Sequence, residues 1–192
     1  PLAFLDLVSA VTGREHPFDA QAPFLNVRQE YHDQADEHLR AAPINGRALA
    51  VIAPTGSMQH KLWPTERYVK VAQGLADMGL YLVAAGGTDA KEAGNALALA
   101  LGPDTLLDLT GRTTLPQIAA VLSRSRLFLG PDTGVLHIAL GVGAATVSLF
   151  GPGNPLKWAP RGPGHQALSS GLDCSPCTTK GQTKPCPNHG AC

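Results

Sequence analysis

Short apolar runs alternate with amphipathic stretches through the middle of the chain. Each apolar run has the length of a buried strand, and the runs cover 48–53, 80–86, 106–111, 127–130 and 145–151. The stretches between them place apolar side chains at helical spacing, at about 65–78, 89–101, 114–124 and 133–142. Five strands connected by four helical crossovers predict an α/β fold with a doubly wound parallel sheet.

The two ends of the chain follow a different pattern. Residues 1–45 predict a short helix ending at Gly13, then a loop with a short extended piece, then an acidic helix at about 32–42, with no sheet of their own. We interpret 1–45 as a linker or the remnant of a preceding domain, 46–165 as the sheet domain, and 166–192 as a cysteine-rich tail. The chain starts at Pro1 and shows no basic segment followed by an apolar one, so we expect no secretion signal and a longer parent protein.

Composition and charge exclude several classes of partner. The 192 residues are 44% hydrophobic and 16% charged, which is typical of a folded soluble protein. Fifteen basic residues balance fifteen acidic ones, so nothing indicates a surface for nucleic acid. The apolar stretch from Gly134 to Phe150 contains His137, further glycines and a predicted helix-to-strand break, so we expect no membrane span.

The turn in "FLGPDTGVLHIALG" (128–141) concentrates polar residues within an apolar run. An apolar strand ends at Gly-Pro and a helix follows, with Asp132 or Thr133 as its N-cap. His137 lies one helical turn after Thr133, so both can project from the same side. The free N–H groups at a helix N-terminus favour an anion. The pattern therefore predicts an anion site.

A second polar loop, "APTGSMQHKLWP" (53–64), directly follows the first predicted strand. Thr55 and Ser57 offer hydroxyl groups, and Lys61 offers a point charge that suits phosphate. Carboxyl ends of parallel strands meet at one edge of the sheet, where ligands gather. This loop and the Asp132 turn could therefore clamp a diphosphate between a lysine and a helix N-terminus, although such a loop is also common as a plain connection.

Two further turns could serve either binding or capping. In "AGGTDAKEAG" (85–94), Asp89 or Glu92 could accept hydrogen bonds from a ribose, or could simply favour the helix dipole. In "LTGRTTLPQ" (109–117), Thr114 is the expected N-cap, and Gly111 could give a ligand room. No Walker A sequence and no strand-first G-x-G-x-x-G sequence occurs.

Four cysteines are concentrated in the tail, with the spacing C-x2-C-x8-C-x5-C: Cys174, Cys177, Cys186 and Cys192. This spacing fits a tetrahedral zinc site, with His189 as a spare ligand. Disulfides and reduced thiols are the alternatives, since a cytosolic protein would keep its cysteines reduced.

The order of these motifs resembles the C-terminal, nucleotide-sugar-binding half of the ADP-heptose:lipopolysaccharide heptosyltransferases, glycosyltransferase family nine. The resemblance runs from about residue 47 to the end, and "GPDTGVLHIA" and "LFGP" are its most specific segments. The segment "LDCSPC…CPNHGAC" is most similar to the heptosyltransferase II subgroup. The resemblance implies one half of a GT-B enzyme, with a Rossmann-like sheet and an inverting transfer that requires no metal ion.

The resemblance also implies roles for the residues of these turns. Lys61 and the Asp132 turn would hold the donor diphosphate, Thr55 and Ser57 would line the same cleft, and Glu92 would approach the ribose. The catalytic base would lie in an N-terminal domain that contacts the acceptor. The donor-binding set is then Thr55, Ser57, Lys61, Glu92, Gly111, Asp132, Thr133, Gly134, Val135 and His137.

The expected function is transfer of heptose from ADP-heptose to the lipopolysaccharide core. The acceptor would be bound through the preceding domain, and no cofactor is expected beyond a possible structural zinc. The expected location is the cytoplasm, either free or peripheral at the inner face of the inner membrane. A non-catalytic nucleotide-sugar-binding module and a zinc-stabilised interaction domain are the alternatives.

Overall fold

Six parallel strands form one sheet in the order β3-β2-β1-β4-β5-β6. The structure is a computed structural model that describes residues 10–13, 23–56, 61–179, 182–183, 186, 188 and 190–192. The strands are β1 Leu49–Ile52, β2 Tyr81–Ala84, β3 Leu106–Asp108, β4 Ser125–Pro131, β5 Ala145–Phe150 and β6 His165–Ser169. All neighbouring pairs within this sheet are parallel, which confirms the predicted α/β class.

Helices cover both faces of the sheet, and all but α1, which precedes β1, follow a strand. They are α1 Gln29–Arg40, α2 Thr65–Asp77, α3 Lys91–Leu101, α4 Leu115–Leu122, α5 Gly134–Gly141 and the short α6 Pro155–Trp158. A single 3₁₀ turn, Thr88–Ala90, precedes α3, and the tail carries a small antiparallel pair, β7 Thr178–Thr179 with β8 Gln182–Thr183.

Two hydrophobic cores, one on each face, hold the helices to the sheet. On one face, α2 and α3 contribute side chains such as Tyr68, Ala72 and Leu97. On the other face, α1, α4 and α5 contribute side chains such as Leu39, Leu122 and Leu136. The central strand β1 is buried along its whole length, as its uninterrupted apolar sequence "LAVI" predicts for a strand covered on both sides.

The segment before the sheet packs against α4 and α5. Backbone N–H groups of Phe24 and Leu25 donate to Gly141 O at 2.9 and 2.8 Å. Arg124, just after α4, forms an ion pair with Asp36 of α1. Helix α1 begins three residues earlier than the sequence predicts and rests against the sheet domain through these contacts.

Two differences from the predicted elements are informative. Strand β6 was not predicted, because "HQALS" lies at the sheet edge with partly exposed side chains and follows a stretch rich in proline and glycine. The expected boundary between residues 165 and 166 falls inside it.

The predicted N-cap Thr114 is confirmed, and its backbone N–H donates to Gln117 Oε1 at 2.7 Å. Within the described part of the chain, no helix is long and apolar enough to cross a membrane.

Candidate functional site

Lys61 and Asp132 form an ion pair at the carboxyl edge of the sheet. The Lys61 Nζ donates to Asp132 Oδ2 at 2.7 Å and to the Asp132 carbonyl oxygen at 3.1 Å. Their side chains are only 14% and 12% exposed, so both charges lie largely out of bulk water. An ammonium group has three N–H donors, and these two contacts leave one for a ligand.

The N-terminus of α5 opens beside this ion pair. Thr133 is the N-cap, in extended conformation, and its side chain makes no capping hydrogen bond. Its hydroxyl is buried and has no partner among the described residues. A Cβ atom built on Gly134 would meet nothing within 4 Å. The first turn of α5 therefore presents free backbone N–H groups to an open space.

His137 extends the cluster along the same side of α5. Its Nε2 atom is 3.9 Å from Asp132 Oδ1, and its side chain is 44% exposed. The His137 ring also lies edge-on to Trp158, with ring centroids 6.5 Å apart. Asp132 thus sits between a lysine and a histidine that both face it.

Thr55 belongs to a second cluster, at the ends of β1 and β2. Its hydroxyl donates to Asp89 Oδ2 at 2.6 Å, and the residue is almost fully buried. Gly86 lies against it, since a Cβ atom there would be 3.0 Å from the Thr55 methyl carbon. Asp89 therefore holds Thr55 in place, a contact between two loops that local sequence does not reveal.

Gly111 lies just after the carboxyl end of β3, and Glu92 lies at the start of α3. Gly111 adopts φ +65°, and its N–H donates to Gly86 O at 2.9 Å. The aliphatic stem of Lys91 lies against it, because a Cβ atom built there would be 2.5 Å from Lys91 Cε. Glu92 is exposed in the first turn of α3.

The predicted donor residues thus fall into two groups along one edge of the sheet. One group, at the end of β4, contains Lys61 together with Asp132, Thr133, Gly134, Val135 and His137. The other, at the ends of β1, β2 and β3, contains Thr55, Glu92 and Gly111. Ser57 lies outside the described residues.

Sequence reasoning assigned no role to the loop after β5, yet the structure brings it to the site. A Cβ atom built on Gly153 would be 2.9 Å from Asp132 Oδ2, so this backbone passes directly beside the carboxylate. The loop leads into α6, which carries Trp158 next to His137. The sequence feature that could have pointed to this loop is a lone tryptophan after a turn rich in proline and glycine.

A cavity of about 370 Å³ adjoins the ion pair near β5 and β6. Lys61 lines this cavity, together with Trp63 of the β1–α2 connection and Arg67 of helix α2. Ser169 and Cys192 line it as well. Trp63 packs edge-on against Tyr68, with ring centroids 5.0 Å apart. Burial raises the pKa of the Tyr68 hydroxyl, which keeps this phenol neutral.

The four tail cysteines are free in the structure. Burial raises the pKa of the Cys192 thiol, and the nearby Cys177, Cys186 and Cys174 raise it further. Among the described residues, no three His, Cys, Asp or Glu side chains are placed to hold a metal ion. A zinc site in the tail stays a prediction.

Comparison with known families agrees with the fold and the motifs. The model of glycosyltransferase family 9 (heptosyltransferase) matches residues 5–187, nearly the whole chain. This chain belongs to glycosyltransferase family 9. The similarity to subgroup II stays a prediction.

Individual relatives of this family 9 chain are longer than the chain itself. Lipopolysaccharide heptosyltransferase 3 of Escherichia coli is 30% identical over 117 residues, which are 60% of this chain and 34% of that protein. The family 9 structure from Veillonella parvula DSM 2008 matches with a TM-score of 0.67 and 25% identity, over 76% of this chain and 42% of that one. The E. coli ADP-heptose lps heptosyltransferase II structure matches in fold, with a TM-score of 0.64 and 24% identity, over 81% of this chain and 47% of that one. The chain spans about a third of the length of the curated relative.

Proposed function

We propose that this chain is the donor-binding domain of a heptosyltransferase, which holds ADP-heptose while the sugar passes to the lipopolysaccharide core. The observation that carries the proposal is the cluster at the end of β4, where Lys61 meets the open N-terminus of α5. Both features favour an anion, and they lie at the sheet edge where α/β proteins bind nucleotides. Family membership and the name of the E. coli heptosyltransferase II structure support ADP-heptose as the donor.

The residues of the cluster have separate tasks in this proposal. Lys61 donates its remaining N–H to the diphosphate, and the α5 backbone N–H groups and the Thr133 hydroxyl bind other phosphate oxygens. Asp132 does not act as the base in this proposal, because its carboxylate is paired with the Lys61 ammonium at 2.7 Å and lies beside the diphosphate. Its task is to hold the ammonium group in place.

The reaction develops negative charge on the departing diphosphate. The bond between the anomeric carbon and the β-phosphate oxygen breaks, and the acceptor hydroxyl oxygen forms the new bond on the opposite side, which inverts the carbon. The acceptor proton passes to a base that we expect on a second domain. Donors that are already in place stabilise such charge without reorganisation, and this allows transfer without a metal ion. We place this reaction at the cytoplasmic face of the inner membrane.

The ranking of ligands tests the diphosphate site directly. Titration calorimetry should show that ADP and ADP-heptose bind the purified chain at least about tenfold more tightly than AMP, since the second phosphate adds a charge-assisted contact. Equal affinities for ADP and AMP, or no nucleotide binding at all, would contradict the proposal.

A transfer assay then separates the enzyme from the alternative of a non-catalytic binding module. We expect the chain alone to bind ADP-heptose without transferring the sugar, because alignment of acceptor and base accounts for about 7–11 kcal/mol of barrier lowering in favourable systems. Adding a family 9 N-terminal domain as a separate chain should restore transfer. If binding is intact and no combination transfers sugar, the binding module is the better description.

A further inference from the structure

Trp158 is a half-exposed tryptophan at the rim of the cluster around Asp132. The residue is 49% exposed, and its ring lies beside His137, with centroids 6.5 Å apart. The ammonium group of Lys157 rests over the same ring, 4.8 Å from its centroid. A large aromatic side chain in this position presents an apolar face to solvent next to a polar site.

The backbone around Trp158 is firmly held. Asn154 caps α6, since its side chain accepts from the Leu156 N–H at 2.9 Å, and its carbonyl accepts from the Trp158 N–H at 3.0 Å. The Arg161 guanidinium donates to the Leu156 carbonyl oxygen from the other side. The approach of Gly153 to Asp132 fixes the start of the same loop against the cluster. Trp158 is thus attached to the diphosphate site through a short, hydrogen-bonded segment.

The order of the strands indicates which part of the ligand reaches Trp158. The family resemblance implies that the ribose lies near Glu92, at the start of α3 and close to Gly111 after β3, and the proposed function puts the diphosphate at the end of β4. The sheet order β3-β2-β1-β4-β5-β6 places these two sites on one line. A nucleotide sugar that extends along this line continues past β4 to the loop after β5, where Trp158 lies.

We propose that Trp158 is the platform for the donor sugar and a specificity-determining residue of this site. The C–H face of a pyranose ring is apolar and packs against the indole, while its hydroxyl groups reach the Lys157 ammonium and the His137 imidazole. The inference rests on the proposed function, since it needs the diphosphate at Lys61 and Asp132. It adds the residue, Trp158 in the loop after β5, that recognises the neutral sugar joined to the diphosphate.

Calorimetry with ADP-heptose and ADP separates the sugar from the nucleotide. In Trp158→Ala, ADP-heptose should bind about tenfold more weakly, because the packing area of the ring is lost, whereas the affinity for ADP should change less than about twofold. Trp158→Phe should retain part of the difference. Leu156→Ala is the matched control, because Leu156 is an even more exposed apolar residue of the same helix and should change neither affinity.

Fluorescence gives a second readout that leaves Trp158 in place. The chain has two tryptophans, so Trp63→Phe leaves Trp158 as the sole tryptophan. ADP-heptose should then protect the emission from acrylamide quenching, and ADP should not.

The outcomes distinguish this inference from the proposed function. If the wild-type chain binds neither ligand, the proposed function fails and the platform fails with it. If both ligands bind and Trp158→Ala changes neither affinity, or weakens both equally, the platform is refuted while the donor site stands. If ADP protects the Trp158 emission from acrylamide quenching as well as ADP-heptose does, the platform is also refuted.

Discussion

The Lys61–Asp132 ion pair allows the binding and folding contributions of the site to be measured separately. In Lys61→Ala, the diphosphate loses a hydrogen bond to a charged group, a contribution of about 1.5–3 kcal/mol. This corresponds to roughly a 10- to 150-fold rise in the Kd for ADP. The loss is at the upper end of that range, because the Asp132 carboxylate is then left without its lysine and repels the phosphate.

The same substitution should also destabilise the fold. Both side chains are mostly buried, at 14% and 12% exposure, so the carboxylate left behind is poorly solvated. We expect the free energy of unfolding to fall by about 1–3 kcal/mol, between the values for exposed and fully buried pairs. His137, with Nε2 at 3.9 Å from Oδ1, offers only partial compensation.

The double variant Lys61→Ala/Asp132→Asn separates the two effects. Removing the uncompensated carboxylate should restore most of the stability in urea unfolding, while the affinity for ADP stays low because no lysine remains. Lys70→Ala, an exposed lysine of α2, is the matched control and should change neither quantity. If Lys61→Ala binds ADP as tightly as the wild-type chain, Lys61 does not contact the diphosphate and the assignment of the site is wrong.

Three further predictions concern the edge strand, the tail and the β3 turn. Burial lowers the pKa of His165, so the unfolded chain binds more protons as the pH falls below about 6.5. Stability should therefore decrease as the pH falls from 7 toward 5, until His165 is also protonated in the folded protein. Thermal melts of His165→Asn should show a weaker pH dependence. If the tail holds zinc, elemental analysis should give about one zinc per chain and chelation should loosen the tail alone; four freely titrating thiols without metal would contradict this. Gly111→Ala should reduce the free energy of unfolding by about 1–2 kcal/mol, because φ is +65° and Lys91 lies against this glycine. Gly134→Ala is the control and should cost little stability, because Gly134 faces open space. Equal losses in the two variants would show that backbone conformation is not the cause.

The parallel sheet could be predicted because its central strands are buried on both faces. A strand such as "LAVI" is an uninterrupted apolar run, and that signal is local. Strand β6 lacks it, because an edge strand is half exposed and "HQALS" mixes polar with apolar residues. Pairing with β5 holds it in the sheet, and such pairing depends on residues far apart in sequence.

The candidate site could be predicted in part, because its loops follow strands that the sequence predicts. The Asp132 turn and the Lys61 loop each follow a predicted strand, so the rule for parallel sheets places them at one edge without knowledge of the structure. Their direct contact, across 71 positions of sequence, and the contact of Thr55 with Asp89, across 34, depend on strand order and side-chain conformation. The position of Trp158 next to His137 could not be predicted, because it depends on a loop that packs against Asp132.

Five helices begin at this edge of the sheet, and the differences among their N-termini support the proposed ligand position at α5. Helices α2 and α3 start without a side-chain cap, but their N-cap residues, Pro64 and Ala90, have no hydroxyl group that needs a partner. Helix α4 is closed by its own side chains, since Gln117 accepts from both the backbone and the hydroxyl of Thr114. Helix α6 is closed by Asn154. Helix α5 is left open, although Thr133 at its N-cap carries a hydroxyl that could close it. An uncapped helix start and a buried hydroxyl without a partner both cost stability in the empty protein, by about 1 kcal/mol or more each. In the proposed function, the diphosphate would satisfy these groups, so its binding would offset the stability that the empty site lacks.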